Sequence, residues 1–251
     1  VYDASGRTLP ASMVLLGRSP AGPQLRITVD ASGALYPITV DPLVHSETII
    51  LYPSVEERAG FLEFGTAVAL DGDTLVVGAW DFGGYMNNAP QGSGVEDAPV
   101  AQAGKVFVFQ RNYGDLGLDP IPDAWGEVVV LQSSDAATGD YFGKAVAISG
   151  DTIAVGAPGE DGGMEDPLAD SGAVYIYQRN LGGEDMWGEV TTVYAPDAQL
   201  ADQFGTALAL DGDTLVVGAP KRDDGSTEDS GAFYIFNRNL DGPDTWGFVI
   251  M

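Results

Sequence analysis

One unit is written three times in this chain. Phe64-Gly65-Thr66-Ala67-Val68-Ala69-Leu70-Asp71-Gly72-Asp73-Thr74-Leu75-Val76-Val77-Gly78-Ala79-Trp80 returns, lightly varied, from Phe142-Gly143 to Ala157-Pro158 and from Phe204-Gly205 to Ala219-Pro220. A second element, Gly104-Lys105-Val106-Phe107-Val108-Phe109-Gln110-Arg111-Asn112, recurs from Gly172 to Asn180 and from Gly231 to Asn239. Each is followed by a Trp-Gly, at Trp125-Gly126, Trp187-Gly188 and Trp246-Gly247. Chance does not produce three ordered elements three times, so the chain is a repeat protein. The first copy is longer because of insertions around Tyr85 to Gln102 and Tyr113 to Asp123, which belong in loops.

Each unit reads as four β-strands. The first is Phe-Gly-x-Ala-Val-Ala-Leu. A hairpin turn of Asp-Gly-Asp or Ser-Gly-Asp follows, since Gly and Asp tolerate left-handed backbone. The second strand is Thr-Leu-Val-Val-Gly-Ala, the third Val-Phe-Val-Phe or its variants, and the fourth follows the Trp-Gly. Several of these strands are apolar at every position, which requires cover on both faces. A β-propeller supplies that cover by sandwiching each blade between neighbours. The expected fold class is therefore all-β: a propeller of four-stranded antiparallel blades at about 64–134, 142–197 and 204–251, with almost no helix. The small residues Ala67 and Ala69 suit the crowded inner strand, and the bulky third and fourth strands suit the wider outside. Phe142 and Phe204 are expected at buried blade junctions, each followed by a glycine that permits close backbone approach.

These residues resemble the FG-GAP repeat family, best known from integrin α-chain propellers. The Phe-Gly and Gly-Ala-Pro pairs of the second and third copies carry the resemblance, and the first copy departs from it at Trp80. The run from Asp140 to Gly162 is similar to the bacterial secreted and cell-surface subgroup. In the integrin form a calcium loop, Asp-x-Asp-x-Asp-Gly, joins the first two strands. Here it is cut to Asp71-Gly72-Asp73, Ser149-Gly150-Asp151 and Asp211-Gly212-Asp213. Two carboxylates cannot enclose Ca²⁺, which takes about six to eight oxygens. The calcium role is therefore not carried over to these turns.

Residues 1–45 are different in kind. Gln24–Asp30 and Ala34–Val40 flank Ala31-Ser32-Gly33 and read as a short β-hairpin, the expected C-terminal part of a preceding β-rich domain. The propeller is expected over 46–251. Glu47 to Ser54 aligns with the strand after each Trp-Gly, so it enters on a fourth strand, as ring closure requires. Three blades fall short of the usual number of about 4–8. The opening at Val1 and the apolar Val249-Ile250-Met251 suggest a longer protein with further repeats.

Charge and composition narrow the chemistry. There are 11 Lys+Arg against 37 Asp+Glu, a net charge of −26 that repels nucleic acid and anionic membranes. No apolar run is long enough to span a membrane. With no Cys, disulfides and thiolate zinc sites are excluded. The single histidine, His45, has no nucleophile-elbow pattern nearby, so no Ser-His-Asp triad is expected. The candidate site is the acidic loop between second and third strands. It carries Glu160, Asp161, Glu165, Asp166 and Asp170 in the second copy, and Asp223, Asp224, Glu228 and Asp229 in the third. Such oxygen-rich, Gly-containing loops can take Ca²⁺, or can be plain solvated surface; no cofactor is certain. The three Trp-Gly positions are regular enough to be structural anchors, not sugar platforms.

Two functional readings follow. The first is a non-catalytic, secreted or cell-surface module that contacts protein or glycan, or builds a surface layer or filament, with other copies as possible partners. The second is an accessory propeller of a secreted hydrolase whose catalytic domain lies elsewhere. Fold alone does not choose between them.

Overall fold

The glycine of each turn triplet reverses the chain: Gly72, Gly150 and Gly212 have φ of 55°, 55° and 53°, the left-handed region that glycine occupies without strain. Around these turns a computed structural model describes residues 4–5, 7–19, 22–30, 32–33, 35, 50–53, 63–82, 84–85, 99–100, 102–111, 125–161, 168–181, 183, 185–240, 242 and 245–250. All regular structure among them is β, and none is helical. The strands are β1 Ala11–Ser19, β2 Gly22–Val29, β3 Ala67–Asp71, β4 Thr74–Ala79, β5 Gly84–Tyr85, β6 Pro99–Val100, β7 Lys105–Arg111 and β8 Trp125–Leu131. They continue with β9 Ala145–Ser149, β10 Thr152–Ala157, β11 Ala173–Arg179, β12 Trp187–Val193, β13 Ala207–Asp211, β14 Thr214–Ala219, β15 Ala232–Arg238 and β16 Trp246–Ile250.

The chain divides into two compact units, Val1–Ile50 and Leu51–Met251. In the first, β1 pairs antiparallel with β2, with a register shift between Leu15 and Gly17. The expected hairpin partner at 34–40 lies almost wholly outside the described residues, and β1 was not foreseen. Of the entry strand expected at Glu47 to Ser54, only Ile50 to Pro53 are described, and they form no strand. Leu51 packs against the apolar cluster of the first sheet of the second unit.

The second unit holds three four-stranded antiparallel sheets in the orders β3-β4-β7-β8, β9-β10-β11-β12 and β13-β14-β15-β16. These are the three expected blades. Each has its register shift at the same place, between third and fourth strand, at Val108/Phe109, Ile176/Tyr177 and Ile235/Phe236. The first strands β3, β9 and β13 approach one another, so the small-residue strand is innermost. The first insertion carries the short pair β5 and β6, and the second lies outside the described residues.

One apolar layer lies between the first and second sheets. Val76, Val106 and Val108 of the first meet Ile153, Val155, Tyr175 and Tyr177 of the second. A second layer repeats it between the second and third sheets, with Ala154, Val174 and Ile176 against Leu215, Val217, Tyr234 and Phe236. The middle sheet is thus covered on both faces, and all six residues of β10 are buried. The third sheet is not: β14 alternates exposed or half-buried with buried residues, whereas in the first sheet Val77, Ala79, Phe107 and Phe109 are buried with Leu51 and Phe64 packed against them.

The first strand is shorter than its sequence suggested. It begins at Ala67, Ala145 or Ala207, not at the Phe-Gly. The residue before each Phe and the Gly after it both have positive φ, 58° and 87° at Tyr141 and Gly143, which no strand accommodates. The Phe-Gly is instead a bridge to the preceding blade. Phe142 and Phe204 form isolated parallel bridges with Gly104 and Gly172. Both rings are fully buried. Phe142 stands edge-on to Tyr175 and Tyr177, with centroids 5.5 and 6.1 Å away.

Emptying such a site should be costly. Phe142→Ala is expected to lose about 3–5 kcal/mol in urea unfolding. Phe64, half-buried at the outer side of the first sheet, should lose clearly less as Phe64→Ala. Phe64 keeps the same edge-on neighbours, Phe107 and Phe109 at 5.3 and 6.2 Å, and differs only in being half-buried, so equal losses would show that the deeper burial of Phe142 does not set the cost.

Candidate functional site

The loops between second and third strands form the rim, and three of their carboxylates, those of Asp161, Asp223 and Asp224, are occupied with the loops' own backbone. Asp161 Oδ1 accepts a hydrogen bond from Asp170 N at 3.1 Å. The equivalent pair in the third blade is Asp223 Oδ1 and Asp229 N, at 2.8 Å. Asp224 Oδ1 accepts from Ser226 N, Ser226 Oγ and Thr227 N. Those bonds hold its pKa below the usual carboxylate range, the Ser226 backbone bond foremost. Asp170 and Asp229 themselves sit at φ of 55° and 51°. Glu228 is exposed, and Glu165 and Asp166 lie outside the described residues. Among the described residues no group of three or more His, Asp or Glu side chains is placed to hold a metal ion.

Behind the rim lies a network that the sequence reading did not single out. The Tyr175 hydroxyl donates to Asp135 Oδ1 at 2.7 Å and lies 3.1 Å from Glu160 Oε2. Burial and these carboxylates drive its pKa upward, so it remains a neutral donor. Asp140, only 3% exposed, caps the preceding turn by accepting from Ala137 N. Its burial, with Glu160, Asp135 and Asp161 nearby, pushes its pKa up to about 7. The third blade uses the same frame with one charge inverted. Tyr234 donates to Asp197 Oδ1 at 2.8 Å, Asp202 accepts from Gln199 N, and Arg222 takes the place of Glu160. Arg222 Nη2 reaches Asp197 Oδ2 at 2.8 Å and its Nε lies 3.6 Å from Asp202. Burial raises Asp197, but bonds from Arg222 and Tyr234 outweigh it and leave the pKa lowered. A visible signal did exist: an Asp stands two residues before the second and third Phe, and another five residues before that.

The Asp-Gly-Asp turns have another occupation. Their last carboxylates pair with the arginine ending each third strand: Asp73 with Arg111 at 3.3 Å, Asp151 with Arg179 at 2.9 Å, Asp213 with Arg238 at 3.3 Å. Each guanidinium lies over the tryptophan of the Trp-Gly, 5.2, 4.9 and 5.3 Å from the ring centroids of Trp125, Trp187 and Trp246. Their regular place in each repeat is therefore explained by a clip of Asp, Arg and Trp within each blade. The clip also reaches the preceding blade, since Arg179 donates to Thr74 and Arg238 to Thr152. The first residue of the turn latches too: Gly150 N donates to Asp71 Oδ2 and Gly212 N to Ser149 Oγ.

Two outcomes follow. A carboxyl with a raised folded pKa stabilises the fold fully below its unfolded value of 3.8 and loses that contribution as pH rises through about 7. Wild-type melting temperature should therefore fall from pH 5.5 to pH 8, and Asp140→Asn should flatten that segment; a parallel slope in the variant would remove Asp140 as its source. Melts in Ca²⁺ and in chelator should coincide, because Asp161, Asp223 and Asp224 are spent on the loops' own N–H groups and no three carboxylates among the described residues converge on one metal position. A Ca²⁺ shift abolished by Asp161→Asn and Asp224→Asn would instead place an ion in these loops.

A search of curated proteins gave no match. A family model described as FG-GAP repeat matches three times, at residues 58–109, 125–177 and 187–236. These spans cover more than half of the chain; the second and third each open on the fourth strand of one sheet and end in the third strand of the next. The chain belongs to the FG-GAP repeat family.

Proposed function

We propose that this chain is a non-catalytic extracellular module that contacts protein or glycan through its acidic rim and serves the assembly of a surface layer or filament. What supports this reading is the division of labour within each repeat. The Phe-Gly bridge, the Asp-Arg-Trp clip and the turn latches are nearly constant and build the frame. The rim loops vary between blades, and one frame position reads Phe82, Glu160 and Arg222 in turn. Variable loops on a rigid scaffold are where recognition is usually placed. Family membership supports a binding or structural role for the propeller. The rim carries Asp161, Asp170, Asp223, Asp224, Glu228 and Asp229, so it suits basic peptide segments or the hydroxyls of a glycan.

The test is direct binding. Titration calorimetry with Lys/Arg-rich peptides and with a panel of oligosaccharides should reveal a saturable ligand. Glu228→Gln combined with Asp229→Asn should weaken it about tenfold, a loss of about 1.4 kcal/mol, without changing the melting temperature. No saturable binding across both panels would overturn the rim as a recognition surface.

A further inference from the structure

The rim loop of the second blade, described at residues 159–161 and 168–172, rests on the linker that runs from β8 to β9. Gly159 N donates to Asp140 O, and a Cβ on Gly159 would stand 1.9 Å from Gly139 O, so loop and linker lie backbone on backbone. The loop is then closed by its own bonds: Glu160 N donates to Ala157 O, Gly172 N to Glu160 O and Asp170 N to Asp161 Oδ1. Beneath this contact the side chains of Asp140 and Glu160 are both buried.

One phenol is shared there between two carboxyls. Tyr175 has a single hydroxyl proton, and it goes to Asp135 Oδ1 at 2.7 Å. Glu160 Oε2 lies 3.1 Å from the same hydroxyl oxygen. An ionised Glu160 would set lone pairs against lone pairs, so the contact closes only when that carboxyl brings a proton of its own. Asp140 is held by one N–H, that of Ala137, and the groups acting on it from linker and loop, Glu160, Asp135 and Asp161, are all acids. Tyr194, just past β12, is acted on by Glu160 and Asp135, and by Glu189 of β12. The two lysines of this junction, Lys105 and Lys144, lie over the rings of Phe82 and Trp80. Burial and like charge therefore both favour neutral carboxyls while the loop is down.

The third blade uses the same frame without needing those protons. Lys221 N donates to Asp202 O, Gly231 N to Arg222 O and Asp229 N to Asp223 Oδ1. Arg222 stands where the second blade has Glu160, and brings its charge to Asp197 and Asp202.

We propose that the rim loop of the second blade is a pH-dependent latch: it stays down while Asp140 and Glu160 keep their protons and lifts off the linker as they ionise, whereas the Arg222 loop of the third blade stays down throughout. Lifting one loop exposes the buried charge at far smaller cost than unfolding the sheets. Linkage gives the direction. Asp140 has an ordinary value of 3.8 when exposed and about 7 when buried, so lifting gains as pH rises between those values and levels off above them. The latch lies on the rim of the proposed function but needs no ligand, because it is read on the loop's own amides.

The test is amide-resolved hydrogen exchange from pH 5.5 to pH 8, expressed as protection factors so that the intrinsic pH dependence of exchange cancels. In the wild type, protection of the Gly172 and Asp170 amides should fall by about tenfold or more across this range. Their third-blade counterparts, the Gly231 and Asp229 amides, should stay level. Asp140→Asn should flatten the second loop. Glu160→Arg, which copies the charge of the third blade, should flatten it too, and Arg222→Glu should install the pH dependence in the third loop. The exchange of charge runs in both directions, so one variant that fails to fold leaves the other to decide. Level protection in the wild-type second loop overturns the proposal. So does a parallel fall in both loops, which would report opening of the whole unit, or a slope that survives both Asp140→Asn and Glu160→Arg. Ligand titrations on the rim and protection of these amides fail separately, so the two readings remain distinguishable.

Discussion

Backbone lying on backbone at the Phe-Gly bridge governs the packing of the three sheets. Two chains can approach this closely only where neither carries a side chain, so Gly78, Gly104 and Gly143 at one junction and Gly156, Gly172 and Gly205 at the next fix the spacing. The adjacent phenylalanine then drops into a pocket of tyrosines and valines and supplies much of the apolar burial that holds the sheets together. The polar latches around it are individually modest, being partly exposed ion pairs and single hydrogen bonds, and they set register more than strength. Because the glycines set a spacing and the aromatics fill it, neither works without the other.

Much of this architecture was legible because a repeat exposes its own rules. Three copies aligned at Phe64, Phe142 and Phe204 separate constant frame from variable loop without any second sequence. Strand order, hairpin turns and the buried phenylalanines followed. The strand start at the Phe-Gly did not, because an apolar pattern continues across residues whose φ is positive, and pattern carries no sign of φ. The strand β1 was missed because Ala11 to Ser19, with a glycine and an arginine inside it, alternates weakly.

The site was less legible than the frame. The acidic loops were visible by composition, but composition does not say that Asp161, Asp223 and Asp224 are turned back on their own backbone. Nor does it separate Asp140 from the other acidic residues of an acidic chain. What distinguishes Asp140 is burial beside further carboxylates, a three-dimensional property. Arg222 at the position of Glu160 shows how sharply one substitution changes that environment. A cation there draws Asp197 down and pulls against the burial that still raises Asp202, the counterpart of Asp140, whereas Asp140 has carboxylates in place of that cation and is pushed up to about 7.

The Asp-Arg-Trp clip and the glycine seat belong to different partners of each sheet: the clip closes within a unit, the seat between units. Such a chain is punctuated. A whole repeat can be duplicated or deleted and the flanking sheets still meet on an unchanged joint, whereas losing part of a repeat leaves a phenylalanine without its pocket. Lineages carrying this unit can thus vary the number of blades in integer steps while their rim loops diverge freely, a form of inheritance in which size and specificity change on separate clocks.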